Sequence, residues 1–177
     1  VFDSAIKIMQ AIDSETKATL GTLVVWGNHP EVLWSQNLQI TSDYVHYLRQ
    51  GLEKGVYHGD SLIQKGLGGT SVFINGCVGG LMTTDPDHAI ADPISGKLLK
   101  SATFEKSEAV GNTLALLSLK ALKNGETITN SSLSLNAKTI EIPLDNQLFK
   151  LGIALGVLDA GYSWWGMMRT EIATFSV

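Results

Sequence analysis

Strand-like and helix-like segments alternate along this chain, and that alternation restricts it to the α/β class of folds. The apolar, β-branched run from Thr19 to Trp26 predicts a mostly buried strand, and Ser71 to Asn75 predicts a second, shorter one. Between them, a helix is predicted from Ser42 or Asp43 through Lys54, because its apolar residues recur at helical spacing. We therefore expect a mixed sheet with flanking helices.

Other segments of the sequence extend the same pattern. Asp3 predicts the cap of a short helix from Ser4 to Ala11. The segment from Ser132 to Pro143 alternates apolar and polar residues with one change of phase, which predicts a bent or bulged strand. Two more helices and a terminal strand are predicted at Phe104 to Lys123, Asn146 to Asp159 and Arg169 to Val177.

The composition excludes several classes of protein. Of the 177 residues 44% are hydrophobic, enough to build a core, and the net charge of −4 is too small for intrinsic disorder. A single cysteine excludes a disulfide scaffold, and 18 glycines without a triplet period exclude collagen. We expect no nucleic-acid partner, because acids outnumber bases and no cluster of Lys and Arg occurs. We expect no transmembrane segment either, because no uncharged run reaches about 18 residues.

The two ends of the sequence suggest a part of something larger. The chain opens at Val1 without an initiator methionine and closes on a strand-like segment, Glu171 to Val177. We therefore expect residues 1–177 to form one α/β domain that is incomplete, a fragment of a longer or cleaved chain. Remaining segments of the same protein are then expected partners.

Local catalytic motifs of the common kinds are absent, which leaves two predicted strand ends as candidate sites. The first strand runs into His29 and Pro30. Ligands gather where strands of α/β sheets end, so His29 is a candidate metal ligand, and a satisfied structural histidine is the alternative.

The second strand ends at Asn75 and breaks into a glycine-rich loop that contains Gly79 and Gly80. Bare backbone N–H groups in such a loop can stabilise a substrate oxyanion or phosphate, and the alternative is a tight turn.

These strand ends resemble the amino-terminal catalytic domain of the neutral/alkaline ceramidases. The resemblance rests on three segments, which are the run Gly21 to Pro30, the run Ile40 to Tyr44 and the run Gly69 to Gly80. In that family the His of the His-Pro pair binds zinc, which implies zinc as cofactor and His29 as one ligand. The resemblance further implies that the loop of Asn75, Gly79 and Gly80 lies beside the active site.

The sequence also departs from the family. Ceramidases hold zinc with two His, a Glu and a Tyr, of which only His29 maps here, so the remaining ligands are expected outside this segment. The family's loop acid is replaced by Gly80, and its nucleophilic serine by Met82. Thr83 or Thr84 takes the place of that serine only if the loop shifts.

The resemblance implies a zinc-dependent hydrolase that cleaves an amide bond in a lipid-like N-acyl substrate. The attacking group is then a metal-activated water or a shifted nucleophile. The alternatives are a ceramidase-like domain that binds a lipid or other ligand without this activity, and an unrelated α/β domain. Family members are secreted or face the cell exterior, so we expect a secreted or cell-envelope location.

Overall fold

The computed structural model describes residues 3–76, 83–129, 132, 134–143, 145–158 and 167–176. The chain divides into two compact units, residues 1–125 and 126–177, and each is described by itself. The expectation of one incomplete domain stays a prediction.

A three-stranded mixed sheet forms the centre of the first unit. Its strands are β1 (Lys7–Ile12), β2 (Thr19–Trp26) and, later in the chain, β5 (Thr70–Asn75). The middle strand β2 pairs antiparallel with β1 and parallel with β5, in a register that runs from Gly21 opposite Thr70 to Trp26 opposite Asn75. The predicted α/β class with a mixed sheet and flanking helices is confirmed.

Two helices supply most of the core beside this sheet. They are α1 (Tyr44–Glu53), capped by Asp43, and α2 (Phe104–Leu122), capped by Thr103. The two caps satisfy backbone N–H groups that have no partner within the helix. The core consists of apolar side chains from β2, both helices and the segments around them, namely Val24, Val32, Tyr44, Leu48, Leu52, Val56, Val110, Leu114, Ala115 and Leu119.

Two short hairpins that the sequence did not predict complete the first unit. They are β3 (Gly55–His58) with β4 (Ser61–Lys65), and β6 (Ile90–Ala91) with β7 (Leu98–Leu99). Gly55 follows Lys54, the C-cap of α1. Its φ of 121° is a backbone conformation that favours glycine, and it turns the chain from helix into strand.

The second unit contains one hairpin and one helix among the described residues. Strand β8 (Ser134–Pro143) pairs antiparallel with β9 (Met167–Ser176), and Asn146 caps α3 (Gln147–Ala154). The register runs from Ser134 opposite Ser176 to Pro143 opposite Met167 without a shift, so the predicted bulge is wrong.

The helix predicted from Ser4 to Ala11 is also wrong, because this segment carries β1. Ile6 and Ile8 pack against the core while Lys7 and Met9 are exposed, which is the period of a strand. The Asp3 carboxylate accepts a hydrogen bond from the Ala5 N–H, two residues on, and does not cap a helix. Pairing with β2 outweighs the weak helical pattern of this short segment.

Close approach of α1 and α2 depends on glycine. A Cβ atom at Gly111 would lie 2.5 Å from the Tyr44 carbonyl oxygen and 2.5 Å from Tyr47 Cβ.

Alanine ordinarily stabilises a helix interior relative to glycine. Here the collision with backbone outweighs that gain, so we expect Gly111→Ala to lower the free energy of unfolding by about 2 kcal/mol. Chemical denaturation measures this change. The exposed Lys120→Ala on the same helix is the control and should stay within about 0.5 kcal/mol of the wild type. An unchanged Gly111→Ala stability would contradict the described packing.

Candidate functional site

The parallel pairing of β2 and β5 brings the two predicted strand ends to the same edge of the sheet. Beyond the last paired residues, Trp26 and Asn75, the strands continue into an isolated parallel bridge between His29 and Thr83. A residue from the chain after each strand, His29 after β2 and Thr83 after β5, therefore lies beside the other. His29 and Thr83 lie next to each other at the edge where α/β sheets commonly bind ligands.

His29 has one ring nitrogen near a carboxylate and one without a partner. Its Nδ1 lies 3.6 Å from Oε1 of Glu31, and the Glu31 N–H donates to the His29 carbonyl at 2.9 Å. Its Nε2 is buried and makes no hydrogen bond to the described residues. A histidine that binds metal typically presents one free nitrogen while a carboxylate orients the other. Glu31 was not predicted from the sequence, although a carboxylate two residues after a candidate ligand was a visible signal.

The two threonines predicted as alternative nucleophiles differ in their surroundings. The Thr83 hydroxyl is buried and has no hydrogen-bond partner among the described residues. The Thr84 hydroxyl accepts a hydrogen bond from Nδ2 of the buried Asn28 at 3.4 Å. Thr83 therefore carries the unengaged hydroxyl beside His29.

Asn75 ties the end of β2 to the end of β5. With the amide assigned the orientation that turns its nitrogen toward the two acceptors, Asn75 donates to the carbonyl oxygens of Asn28 at 2.7 Å and Trp26 at 3.2 Å. The Asn28 carbonyl also accepts a hydrogen bond from the Tyr44 hydroxyl. These bonds fix the backbone just before His29. The expected contact of Asn75 with a substrate stays a prediction.

The Asp43 carboxylate joins three parts of the first unit. One oxygen accepts hydrogen bonds from the Tyr44 N–H at 2.6 Å and the Ser107 hydroxyl at 3.1 Å, and the other accepts from the Leu33 N–H at 2.9 Å. The carboxylate thus connects the loop after β2 with the start of α1 and with α2. Asp43 has a φ of 53°, which is strained for a residue other than glycine, so these bonds hold an unfavourable backbone conformation.

Burial raises the pKa of the Tyr44 hydroxyl well above its ordinary value. The hydrogen bond to Asn28 acts in the opposite direction, and the negative charge of Asp43 raises the pKa further. Tyr44 therefore keeps its proton and remains a hydrogen-bond donor to the backbone beside the candidate site.

The buried side chain of Lys106 binds the loop after β5. This fully buried side chain donates from Nζ to three backbone carbonyls, those of Asp85 at 2.8 Å, Pro86 at 3.0 Å and His88 at 2.8 Å. Burial lowers the pKa of Lys106, while the negative charges of Asp85 and Asp87 oppose that shift. Lys106 and its neighbour Ser107 thus fasten the loop after β5 and the loop after β2 to the first turns of one helix.

The glycine loop lies outside the described residues. Gly79 and Gly80 fall there, together with Cys77 and Met82. The oxyanion role assigned to this loop stays a prediction.

The described residues do not by themselves form a metal site. No group of three or more His, Cys, Asp or Glu side chains in the described ranges is arranged to hold a metal ion. Likewise, no helix in the described part of the chain is long and apolar enough to cross a membrane.

An open cavity of about 470 Å³ begins beside His29. It is lined by the loop between β2 and α1, including Pro30, Trp34 and Ile40. Leu38 and Ile40 are fully exposed, and Trp34 is half-exposed. A loop with three exposed apolar side chains suits contact with an apolar molecule.

Comparisons with known proteins found one structural resemblance to report and no match by sequence. No protein-family model matches this sequence, and no curated protein matches it. The chain resembles part of the crystal structure of neutral ceramidase from Pseudomonas aeruginosa, with a TM-score of 0.52 and 14% sequence identity. The match covers 81% of this chain and 20% of the ceramidase chain, so the sequence spans about a fifth of that protein's length. At this identity the likeness establishes a shared fold.

Replacing Lys106 tests how the loop after β5 is held. We expect Lys106→Met to lower the free energy of unfolding by about 3 kcal/mol, because three backbone carbonyls lose the charged donor of a buried side chain. Amide hydrogen exchange at His88 and Ser101, whose N–H groups bond within this loop, should become faster. The exposed Lys97→Met is the control and should change neither quantity. Unchanged exchange in Lys106→Met would show that the loop does not depend on this ammonium.

Proposed function

We propose that this chain is a ceramidase-like segment of a zinc-dependent hydrolase that cleaves an amide bond in N-acyl lipid-like substrates. The observation that carries the proposal is the pairing of His29 and Thr83 at the shared end of β2 and β5. Each of these residues presents a buried polar atom without a hydrogen-bond partner among the described residues. Such atoms are costly to leave unsatisfied, which supports a role in binding something.

Zinc fits His29 as a single ligand. The unpartnered Nε2 provides the donor atom, and the Glu31 carboxylate lies 3.6 Å from Nδ1. One residue cannot hold zinc alone, so the other ligands belong to the rest of the protein in this proposal. When bound, zinc polarises a carbonyl and lowers the pKa of water.

The attacking group differs from that of the ceramidases that the sequence resembles. Met82 stands where those enzymes have serine, and a thioether cannot take that role. The Thr83 hydroxyl is the candidate nucleophile of this chain, because it is unengaged whereas that of Thr84 is bonded to Asn28. Activated water is the other source of the attacking oxygen.

The loop after β2 supports an apolar substrate. Its cavity begins at Pro30, directly after His29, and is bordered by the exposed side chains of Trp34 and Ile40. In this proposal the acyl chain of the substrate lies on this loop. Membership of the ceramidase family and secretion or a cell-envelope location are parts of the same proposal, and both rest on the sequence resemblance.

A second candidate function is a ceramidase-like domain that binds an N-acyl lipid without cleaving it. Two substitutions favour it, Gly80 in place of the family's loop acid and Met82 in place of its serine. The two functions predict different results for amide hydrolysis and for zinc content.

The test of both is zinc content and amide hydrolysis in the whole protein from which this chain comes, with His29→Ala compared with the wild type. We expect about one zinc per protein in the wild type, and loss of zinc and at least a hundredfold loss of hydrolysis in His29→Ala. Elemental analysis and release of fatty acid from a fluorescent N-acyl amide measure these quantities.

The matched control is His46→Ala, which removes an exposed histidine from α1 and should change neither quantity. Thr83→Val then distinguishes the Thr83 hydroxyl from activated water as the attacking group, because it abolishes hydrolysis only if the threonine is the nucleophile. Full zinc retention in His29→Ala would show that His29 is not a zinc ligand. Saturable binding of the amide with neither zinc nor hydrolysis in the wild type would establish the second function instead.

A further inference from the structure

We infer that part of the loop between β2 and α1, residues 32–42, inserts into the surface of an electrically neutral lipid bilayer. Leu38 is 97% exposed and Ile40 is fully exposed, the two largest exposed fractions of any large apolar side chain among the described residues. Apolar side chains exposed together on one short segment indicate contact with an apolar partner. The inference rests on the proposed function, because that function gives the protein a substrate that resides in lipid.

Hydrogen bonds give the 32–42 loop a defined shape. The Leu33 N–H donates to the Asp43 carboxylate at 2.9 Å, which fastens the start of the loop to the start of α1. Further along, the Asn37 side chain accepts from the Gln39 N–H at 3.1 Å and donates to the Gln39 carbonyl at 2.7 Å. Leu38 lies between these two bonded residues. The bonds therefore fix a bend that presents the leucine to its surroundings.

The composition of the 32–42 loop selects an electrically neutral surface. These residues include no Asp, Glu, Lys, Arg or His, although charged residues make up 17% of the chain. The whole chain carries a net charge of −4, and the Glu31 side chain just before the loop is half-exposed. Anionic bilayers attract basic clusters and repel negative charge. A zwitterionic headgroup layer, such as that of phosphatidylcholine, imposes no such cost.

The side chains of the 32–42 loop match the two layers of a bilayer surface. Leu38 and Ile40 are aliphatic and suit the acyl region. Trp34 is half-exposed, and tryptophan is enriched at the level of the headgroups. Gln36 and Gln39 are exposed and can form hydrogen bonds with headgroups. A stable protein contact buries about 800 Å² on each partner, whereas a few apolar side chains on one short loop suit shallow insertion into lipid.

The 32–42 loop also lines the cavity that the proposed function gives to the substrate. Trp34 and Ile40 lie on the wall of that open cavity, and Leu38 is not among its lining residues. An inserted loop would hold the cavity against the bilayer, from which an N-acyl lipid can enter without crossing water. Leu38 then affects access of the lipid and takes no part in cleavage.

Co-sedimentation of the whole protein with phosphatidylcholine vesicles tests the inference. We expect the protein to bind these vesicles, and Leu38→Asp and Ile40→Asp each to lower the partition coefficient by about tenfold or more, because a carboxylate loses hydration on insertion. The matched control is Leu98→Asp, which changes an exposed leucine of the β6–β7 hairpin and should bind as the wild type does. All three side chains are exposed, so each variant should fold.

A second measurement separates this inference from the proposed hydrolase function. Leu38→Asp should lower hydrolysis of an N-acyl amide lipid held in phosphatidylcholine vesicles by about tenfold, and it should leave hydrolysis of a soluble short-chain N-acyl amide unchanged. Loop-dependent binding of the wild type to vesicles, with hydrolysis of neither amide, would support insertion and contradict the hydrolase. Hydrolysis of both amides without binding to vesicles would contradict insertion alone.

Four results would overturn insertion of the 32–42 loop. Three are the absence of binding to phosphatidylcholine vesicles, binding that requires anionic lipid, and equal binding by Leu38→Asp and Leu98→Asp. The fourth is a whole protein that is dimeric in solution and becomes monomeric in Leu38→Asp, which would show that a second copy covers the loop.

Discussion

The buried carboxylate of Asp43 is the interaction on which the arrangement of the first unit depends. It accepts hydrogen bonds from the loop after β2, from the first residue of α1 and from Ser107 of α2. A buried carboxylate is stable only when its oxygens are bonded, so these three parts must meet at one place. Its strained backbone, with a φ of 53°, indicates that the surrounding contacts determine this conformation and not the local preference of the residue.

The candidate site follows from that connection and from the parallel pairing of β2 with β5. The pairing places His29 beside Thr83, and Asn75 and the Tyr44 hydroxyl fix the backbone just before His29. Helix α2 then fastens both loops through adjacent residues, since Ser107 bonds Asp43 and Lys106 bonds the loop after β5. Such support from surrounding residues is what holds a binding group in a fixed geometry.

The sequence predicted the secondary-structure elements that have long or buried apolar patterns. It did not predict the features that depend on contacts with other parts of the chain. Strand β2 and helices α1 and α2 lie close to their predicted bounds. In the helices, the apolar periodicity and the capping residues indicate the same ends. The first strand was predicted as a helix, because so short a segment also fits a weak helical pattern and only its pairing with β2 decides between the two. Lys106 was missed as well, although it continues the apolar face of α2 one turn before Val110. The meeting of His29 with Thr83 depends on the pairing of strands that are about 50 residues apart, which spacing alone cannot show.

The measurement that tests this account most directly is a double-mutant cycle between Asp43→Ala and Ser107→Ala, read as free energies of unfolding. If the carboxylate joins α2 to the loop after β2, the two changes should couple by about 1 to 3 kcal/mol, and the Leu33 amide should lose its protection from hydrogen exchange in Asp43→Ala. Effects that add within about 0.5 kcal/mol, with the Leu33 amide still protected, would contradict it.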